Sequence, residues 1–256
     1  MLTRDRRTLV LACASVALVA CVGDTPTSPP PDAGADVVVT PDAGDGSAAF
    51  CDGVGTVALC EDFDHGALSG RGWAADPSNT LPPPVTAGSP TKSAPLSLHG
   101  TSGDSDAAAA WSKLLKTVNV GAAVAKSTLE ADLLVDTAAF KSSGTFVPIG
   151  MNLSAGPVPV ALSVSSTTWS CIGFNKTVDA NVALPLKTWI HVTLVAQRTS
   201  STTFDATCTV EGKSVVVTGA DGTNMTADRR VPLGHNTNGQ MGQIDYYVDN
   251  VVLRAE

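Results

Sequence analysis

The sequence has few aromatic side chains and few positive charges. Phe, Trp and Tyr make up 5% of its 256 residues, and 16 Lys and Arg stand against 24 Asp and Glu, for a net charge of −8. A surface that binds nucleic acid needs clustered Lys and Arg to neutralise phosphates. The acidic balance therefore argues against nucleic acid as a partner.

Several catalytic and cofactor-binding motifs are also missing. The histidines are scattered, with no His-Glu-x-x-His zinc pattern, and no Gly-x-Ser-x-Gly elbow of a serine hydrolase occurs. The stretch GVGTVA (53–58) matches a dinucleotide-binding loop only loosely, because no strand precedes it and two cysteines bracket it. Beyond the N-terminal region, no apolar run approaches the roughly 18 residues that a membrane-spanning helix requires.

The first 20 residues have the pattern of a secretory signal peptide. Three arginines, the last of them Arg7, precede an apolar run at 9–19, whose 11 residues are too few to cross a bilayer as a helix. The run ends in Leu-Val-Ala-Cys, which resembles the lipobox of bacterial lipoproteins. The resemblance implies that Cys21 is lipidated and anchors the exported protein to a membrane. Val22, rather than an aspartate, favours the outer membrane; the alternative is an ordinary secretory signal with an incidental cysteine.

Residues 21–49 are predicted to form a disordered tether. The stretch at 23–48 contains five prolines, the motif PDAG twice, and five aspartates with no Lys or Arg. Apart from Val37–Val39 it has almost no aliphatic surface to bury, so it cannot offset the entropy of ordering. Prolines and like charges extend such a chain. We therefore expect a lipidated cysteine and a spacer to precede one folded domain at 50–256.

Four cysteines remain in the predicted domain: Cys51, Cys60, Cys171 and Cys208. An even number in an exported protein indicates disulfides. Three pairings can be drawn. We favour Cys51–Cys60, which closes a short local loop, with Cys171–Cys208, which would join two neighbouring strands. The rival is a zinc site of four thiolates, but the spacings lack the close Cys-x2-Cys pairs that such sites use.

The domain is rich in short segments of Val, Thr and aromatic residues, separated by Gly, Pro, Asn or Ser. In WIHVTLVAQ (189–197), aliphatic side chains alternate with His191, Thr193 and Gln197, as in a strand with one buried face. Nine to eleven such segments predict an all-β fold, a two-sheet antiparallel sandwich or jelly roll. The segment AAAAWSKLLKTV (107–118) also has apolar residues at helical spacing, and we assign it to a strand from its context.

Three short pieces carry a resemblance to a known fold family. They are LCEDFD (59–64), TWIHVTLVAQ (188–197) followed by CTVEGKSV (208–215), and GQIDYYVDNVVL (242–253). They resemble the concanavalin A-like, laminin G-type jelly roll. The resemblance implies that the closing strand lies beside the first one. Because that fold hosts lectins, adhesion modules, glycanases and lyases alike, the resemblance implies a fold more than a function.

Three acidic residues, Glu130, Asp132 and Asp136, alternate with aliphatic residues and are predicted to share one strand face. Laminarinase-type jelly rolls place a nucleophile and an acid/base on one strand in a Glu-x-Asp-x-Glu pattern. Here Leu134 stands where the second glutamate would be, so the acid/base carboxylate is missing. We expect a solvated sheet face at this position rather than a hydrolase site.

A second acidic set consists of Asp62, Asp64, Asp245 and Asp249, on the predicted first and last strands. The resemblance implies a structural calcium ion where such strands meet. Calcium takes six to eight oxygen ligands, so two or three carboxylates with backbone carbonyls would suffice. Calcium is the one cofactor that the sequence suggests.

The sequence predicts a surface-displayed module that binds a polysaccharide or another cell-surface glycan without cleaving it. Sugar sites in such folds combine an aromatic platform with amide and hydroxyl groups. We expect Trp73 or Trp169 to supply the platform, and assign Trp111 and Trp189 to the core. Two alternatives remain: a divergent glycan-cleaving hydrolase or lyase, and a structural envelope protein without a small ligand.

The polar groups of the predicted sugar site are assigned to the stretch GHNTNGQMGQ (234–243), which is expected to be a loop. Amide and imidazole groups in such a loop can exchange hydrogen bonds with sugar hydroxyls. The candidate ligand-binding residues are His235, Asn236, Asn238 and Gln240. The identity of the glycan and the oligomeric state are not encoded in any of these patterns.

Overall fold

The computed structural model describes residues 50–65, 67–103, 109–121, 124–141, 144–154, 159–238 and 241–256. The predicted signal peptide, the predicted lipidation site Cys21 and the predicted tether at 21–49 lie outside these residues, as does Gln240. Among the described residues, no helix combines the length and the apolar character needed to cross a membrane.

The described residues form fifteen strands, numbered in chain order, and two 3₁₀ helices at Phe50–Gly53 and Leu68–Arg71. The strands are β1 (Leu59–Glu61), β2 (Ala74–Ala75), β3 (Val85–Ala87), β4 (Ser97–Ser102), β5 (Ala109–Asn119), β6 (Lys126–Phe140), β7 (Thr145–Asn152), β8 (Pro159–Val164), β9 (Trp169–Gly173), β10 (Lys176–Asp179), β11 (Ile190–Arg198), β12 (Thr203–Val210), β13 (Lys213–Asp221), β14 (Asp228–Asn238) and β15 (Met241–Ala255).

The strands form two antiparallel sheets that stack as a sandwich. The eight-stranded sheet has the order β13-β12-β11-β6-β15-β4-β3, with β1 also paired to β15. The seven-stranded sheet has the order β10-β9-β8-β7-β14-β5-β2. The predicted fold class, an all-β two-sheet antiparallel sandwich, is confirmed.

The core lies between the sheets and is built from alternate residues of each strand. On β11, Ile190, Val192 and Leu194 are at most 2% exposed, whereas His191 between them is exposed. Leu129 and Leu133 on β6 are fully buried opposite them in the register. Each such aliphatic side chain stabilises the fold by about 1.5–3 kcal/mol when removed from water. The alternation predicted from the sequence is confirmed on β11, and on β6 as far as Ala131; beyond that point Asp132 and Leu134 are buried as well.

The two ends of the domain meet in the eight-stranded sheet. Strand β1 pairs antiparallel with β15, with Leu59 opposite Leu253 and Glu61 opposite Val251. The expectation that the closing strand lies beside the first one is therefore confirmed. The strand ends at Glu61, so Asp62 and Asp64 lie just after β1 rather than on it.

Both predicted disulfides form, Cys51–Cys60 and Cys171–Cys208. The expectation that the second disulfide joins neighbouring strands is wrong. It links β9 of one sheet to β12 of the other, across the sandwich. The sheets approach closely there: a Cβ added at Gly173 would lie 3.1 Å from the Cβ of Ala206. In the chain-entropy model, closing loops of 9 and 37 residues stabilises by about 3 and 4 kcal/mol respectively.

Strands β5 and β14 differ in how well the sequence foretold them. Within the segment 107–118, the described residues from Ala109 onward form the strand β5, as predicted. The expectation that 234–243 is a loop is wrong, because β14 continues to Asn238 and β15 begins at Met241. Pro232 and Gly234 are typical of turns, so they hide the strand pattern of β14 in the sequence. Only glycine fits the second position, where φ is 139° and an added Cβ would lie 2.1 Å from the carbonyl oxygen of Ser112.

Candidate ligand-binding cleft

A cleft of about 370 Å³ lies on the outer face of the seven-stranded sheet. It crosses β5, β14, β7 and β8, and one side is formed by the turn after β2. The lining residues are Asp76, Pro77, Lys113, Leu115, Val147, Ile149, Gly150, Asn152, Pro159, Ala161, Arg230, Pro232, Gly234 and Asn236. A concave surface of this size, apolar with a few polar groups, is typical of small-ligand and sugar sites.

The wall of the cleft is the segment 76–81, which covers much of the free edge of β5. The backbone N–H of Asp76 donates to the carbonyl of Lys113 at 3.0 Å, and the side-chain amide of Asn79 both donates to that carbonyl and accepts from the Lys113 N–H, each at 2.9 Å. Leu81 N–H donates to the carbonyl of Trp111 at 3.0 Å. These bonds satisfy backbone groups that an edge strand would otherwise expose, and they fix the wall in place.

The floor of the cleft is apolar and kept low by small side chains. A Cβ added at Gly150 would lie 3.2 Å from the Cβ of Ala161 and 3.5 Å from Cγ of Pro232. These three residues come from adjacent strands, β7, β8 and β14. A larger residue at any of them would fill the cleft, so the space depends on their size.

One ion pair stands at the wall. Lys113 Nζ lies 3.0 Å from a carboxylate oxygen of Asp76, whose other oxygen accepts from the backbone N–H and hydroxyl of Ser78 at 2.8 and 2.7 Å. Burial alone would raise the pKa of Asp76, but the Ser78 hydrogen bonds and the Lys113 ammonium outweigh it and lower that pKa to about 2. Asp76 is thus a fixed anion that holds the ammonium at the rim.

Trp111 is the aromatic side chain beside the cleft. On β5, Ser112 and Leu114 are buried, so Trp111 shares the outer face with Lys113, whose Nζ lies 6.0 Å from its ring centroid. Trp111 is half-buried and stands opposite Asn236 in the β5–β14 register. Its assignment to the core is therefore wrong. The alternation with Lys113 was the signal in the sequence that could have placed it.

The two tryptophans predicted as the sugar platform lie in the core. Trp73 is 2% exposed and donates its ring N–H to Glu61 at 2.8 Å, and Trp169 is 1% exposed. Neither ring can present a face to a ligand, so this prediction is wrong. Both rings contribute to stability instead, since large aromatic side chains dominate the energetics of burial.

The predicted polar residues of 234–243 do not act together, because they lie on a strand. Asn236 points outward and lines the cleft, whereas His235 points inward and is 0% exposed. The ring of His235 packs edge-on against Tyr246 at 6.0 Å, and among the described residues neither of its nitrogens has a hydrogen-bond partner. Burial lowers the pKa of His235 to about 4. Asn238 ends β14, and the structure does not describe its side chain.

The chemistry available in the cleft is limited. Among its described lining residues, the titratable groups are Asp76, Lys113 and Arg230, with no His, Tyr or Glu. A general base needs a pKa near the working pH, and Asp76 is far below it. The arrangement suits binding: two cations, the amides of Asn152 and Asn236, and an apolar floor.

The other acidic array lies on the outer face of the eight-stranded sheet. Glu130 pairs with Arg254, while Asp132 accepts from His191 at 3.1 Å and from Asn250 at 2.8 Å. Burial alone would raise the pKa of Asp132, but the hydrogen bonds from His191 and Asn250 lower it. The same hydrogen bond raises the pKa of His191. Asp132 is 9% exposed and is hydrogen-bonded within the protein, so the expectation of a solvated sheet face does not hold at this residue.

The four carboxylates of the calcium prediction lie in separate hydrogen-bonded settings. Asp62 accepts from the Asp64 N–H at 3.3 Å, Asp64 accepts from the Leu96 N–H at 2.8 Å, and Asp245 contacts His99 at 2.7 Å. No group of three or more His, Cys, Asp and Glu within the described residues is placed to hold a metal ion. The calcium prediction made from the sequence is not tested by the structure, and the separation of the four carboxylates does not favour it.

Asp249 fastens a loop onto the eight-stranded sheet. Its carboxylate is 0% exposed and accepts hydrogen bonds from the backbone N–H groups of Lys92 and Ser93 at 3.0 and 2.9 Å. The Asn250 N–H and the Ser93 hydroxyl donate to the other oxygen at 2.8 and 3.2 Å. Burial raises the pKa of Asp249 to about 6, although these hydrogen bonds act in the opposite direction. The residue stabilises local structure.

Three solved structures with similar folds span most of the chain. The cellulose induced protein Cip1 is 13% identical, with a TM-score of 0.54 over 76% of this chain and 96% of that one. An endo-β-1,4-glucuronan lyase from the fungus Trichoderma reesei is 10% identical, with a TM-score of 0.52 over 78% and 96%. The alginate lyase vAL-1 from a Chlorella virus is 10% identical, with a TM-score of 0.53 over 78% and 100%.

At such identities the likeness defines the class of fold, a jelly-roll β-sandwich, and nothing finer. No family model matches the sequence, and no curated protein does. The function has to be argued from the cleft itself.

Proposed function

We propose that the protein binds a polysaccharide in the cleft on the seven-stranded sheet and does not cleave it. The observation that carries the proposal is the cleft's composition, an apolar floor with amide and cationic groups around it, together with the half-buried Trp111, which stands beside the lining residues Lys113 and Asn236. This is the combination that recognises sugars, whose rings have an apolar C–H face and a rim of hydroxyls.

In this proposal each part of the cleft has a separate task. The C–H faces of successive sugar rings pack on Trp111, Leu115 and Pro232, where burial of apolar area favours binding. The amides of Asn152 and Asn236 exchange hydrogen bonds with hydroxyls, since an amide both donates and accepts. Lys113, held by Asp76, adds a charge-assisted donor.

The comparisons support a carbohydrate ligand. Proteins of similar fold are named for induction by cellulose or for cleavage of glucuronan and alginate. The lining of the cleft supports binding over cleavage, because Asp76, the carboxylate among its described residues, has a pKa of about 2, far below that of a general base. Glycan cleavage is the competing function, and a turnover assay separates the two.

The site of action is proposed from the sequence. Lipid attached to Cys21 would hold the protein on the outer membrane, and the tether at 21–49 would let the sandwich reach glycans at the cell surface. A Cys21→Ala variant should be exported but soluble. Recovery of that variant with membranes, together with an unmodified Cys21 in the wild type by mass spectrometry, would refute the anchor.

A polysaccharide panel tests the proposed function. Isothermal titration should detect binding of at least one polymer, with no release of shorter or unsaturated products on long incubation. Asn236→Ala should weaken that binding about tenfold, a loss of about 1.4 kcal/mol. The matched control is Asn175→Ala, an exposed asparagine after β9, which should bind as the wild type does. Turnover, or equal effects of the two substitutions, would contradict the proposal.

A further inference from the structure

We propose that a small oxyanion, such as phosphate or sulfate, binds between Arg198 and Arg229 at the end of the sandwich where β11 finishes and β14 begins. This site lies between the sheets and is separate from the cleft. The inference follows from two observations. Both arginine side chains point inward from opposite sheets, and neither forms an ion pair with any described residue.

The strand alternation places both arginines on the inner faces of the sheets. On β11, Ala196 is buried and Gln197 is exposed, so Arg198 points to the same side as Ala196. On β14, Arg229 is 1% exposed and shares its face with the buried Val231. Because β11 belongs to the eight-stranded sheet and β14 to the seven-stranded sheet, the two side chains approach each other from opposite layers.

A hydrogen bond between the sheets fixes Arg229 close to β11. Its Nε donates to the hydroxyl of Ser127 on β6 at 2.9 Å, and Ser127 stands opposite Ala196 in the β6–β11 register. Arg198 lies two residues beyond Ala196, about 7 Å further along the same face. An arginine side chain can span that distance, so both guanidinium groups can contact one ion.

The hydrogen-bonding capacity of the two side chains is only partly used. Nη1 of Arg229 donates to the carbonyls of Thr226 and Asp228 at 2.7 and 3.2 Å, whereas its Nη2 donates to no described residue. Nε of Arg198 is buried and, within the described part of the chain, has no acceptor. A buried N–H group without an acceptor costs stability, and a bound oxyanion would supply the acceptor.

The positive charges also lack a counter-ion among the described residues. The nearby carboxylate of Asp228 accepts a hydrogen bond from Asn119 at 2.8 Å and forms no ion pair with Arg229. Burial and, after it, the charge of Arg198 lower the pKa of Arg229, while Asp228 acts in the opposite direction. A guanidinium group keeps its proton in proteins, so an anion between the two groups is what would relieve their repulsion.

The class of ligand follows from the geometry of the donors. Guanidinium groups bind phosphate and sulfate through parallel N–H donors, and two groups from opposite sides can contact different oxygens of one ion. Arg198 is half-buried, so the ion would enter past this side chain. The near-complete burial of Arg229 favours a small free ion over a phosphate group carried by a lipid.

Thermal melts of the full chain in phosphate, sulfate and chloride at matched ionic strength test the site. Low millimolar concentrations keep the general effect of these salts on folding small. Phosphate or sulfate should raise the melting temperature by several degrees at about a hundredfold excess over the dissociation constant, because the ion binds only the folded state. Arg198→Gln should abolish this rise. In chloride, the variant should be at least as stable as the wild type, because it removes a like charge beside Arg229.

A purely structural role for Arg198 predicts the reverse result. The variant would then be less stable than the wild type in chloride and would keep the rise in phosphate. Lys213→Gln is the matched control, since Lys213 is exposed at the start of β13 and its removal changes the net charge equally. The control should keep the full rise. Its loss in the control, or equal melting temperatures of the wild type in phosphate and chloride, would overturn the inference.

Two further measurements identify the source of the anion. Isothermal titration with inorganic phosphate should give one site per chain in the wild type and none in Arg198→Gln. Vesicles of phosphatidylglycerol, added to the Cys21→Ala chain at the same phosphate concentration, should not raise the melting temperature. A rise with vesicles and none with free phosphate would assign the phosphate to a lipid headgroup and would overturn the proposal of a free ion.

Discussion

The two outer faces of the sandwich use their polar side chains in opposite ways. On the eight-stranded sheet, carboxylates are bonded inside the protein: Asp132 to His191 and Asn250, and Asp249 to a backbone loop. On the seven-stranded sheet, Asn152, Asn236 and the ion pair of Lys113 with Asp76 surround an open cleft. The number of acidic residues on a face therefore says little about ligand binding. What matters is whether the hydrogen-bonding capacity of those residues is already used within the protein.

Substitutions on the two faces test this difference. Changes on the eight-stranded face should cost stability and leave ligand binding intact, because the network there holds the fold together. Changes in the cleft should cost binding and leave stability nearly intact, because exposed polar groups contribute little to folding.

The largest effect is expected from Asp249→Ala. It leaves the N–H groups of Lys92 and Ser93 without their acceptor, at a cost of about 2–4 kcal/mol in the free energy of unfolding. Asn152→Ala in the cleft should cost less than about 0.5 kcal/mol. Urea unfolding of both variants measures the contrast. Equal losses would show that the two faces do not differ in this way.

A second effect depends on pH and has opposite signs for two buried groups. Asp249 has a pKa of about 6, above its ordinary value of 3.8, so its carboxylate costs stability as pH rises from about 4 to 6. His235 has a pKa of about 4, below its ordinary 6.5, so stability is lost as pH falls through that range. Each difference corresponds to about 3 kcal/mol at most.

Single variants separate the two contributions. Asp249→Asn removes the first, and stability should then rise more steeply with pH between about 4 and 6. His235→Leu removes the second along with two unpaired buried nitrogens, and stability should instead fall as pH rises. Urea unfolding at a series of pH values measures both slopes. Parallel profiles for the two variants would contradict the account.

The smallest effect concerns calcium. A shared site at Asp62, Asp64, Asp245 and Asp249 would add about 2.7 kcal/mol at a hundredfold excess over the dissociation constant and raise the melting temperature by several degrees. Because these carboxylates lie in separate settings, we expect calcium and chelator to give melting temperatures within about one degree. A larger, chelator-reversible rise would establish an ion that bridges the two ends of the domain.

Much of the fold could be predicted from the sequence because each strand carries its own evidence. The alternation on β11 marks its buried face without reference to any other strand, and the aliphatic run after Asp249 marks the closing strand. The C-terminal part of strand β14 was assigned to a loop because Pro232 and Gly234 are typical of turns. A strand can contain these two residues here because β5 and β7 pair with it on either side, and no local pattern in the sequence reveals that pairing.

The cleft could not be predicted as a whole, because it combines β5, the consecutive strands β7 and β8, and β14, which lie far apart in the sequence. Trp73, Trp169 and Trp111 show the limit most clearly. The three side chains are chemically identical, and only their positions in the structure decide which ring is buried. The pairing of Trp111 with Lys113 on one strand face was readable, whereas the role of Asp76 depends on a turn that docks on β5.

We propose that the ligand binds in the cleft on the seven-stranded sheet and not on the outer face of the eight-stranded sheet, whose carboxylates are already hydrogen-bonded within the protein. Hydrogen–deuterium exchange with and without a saturating amount of a polysaccharide that binds in the panel is the most direct test, since bound ligand slows exchange of the amides beneath it. The account predicts slower exchange in β5 and β14 and no change in β6 and β11. Protection of β6 and β11 alone would contradict it and would move the ligand site to the eight-stranded sheet.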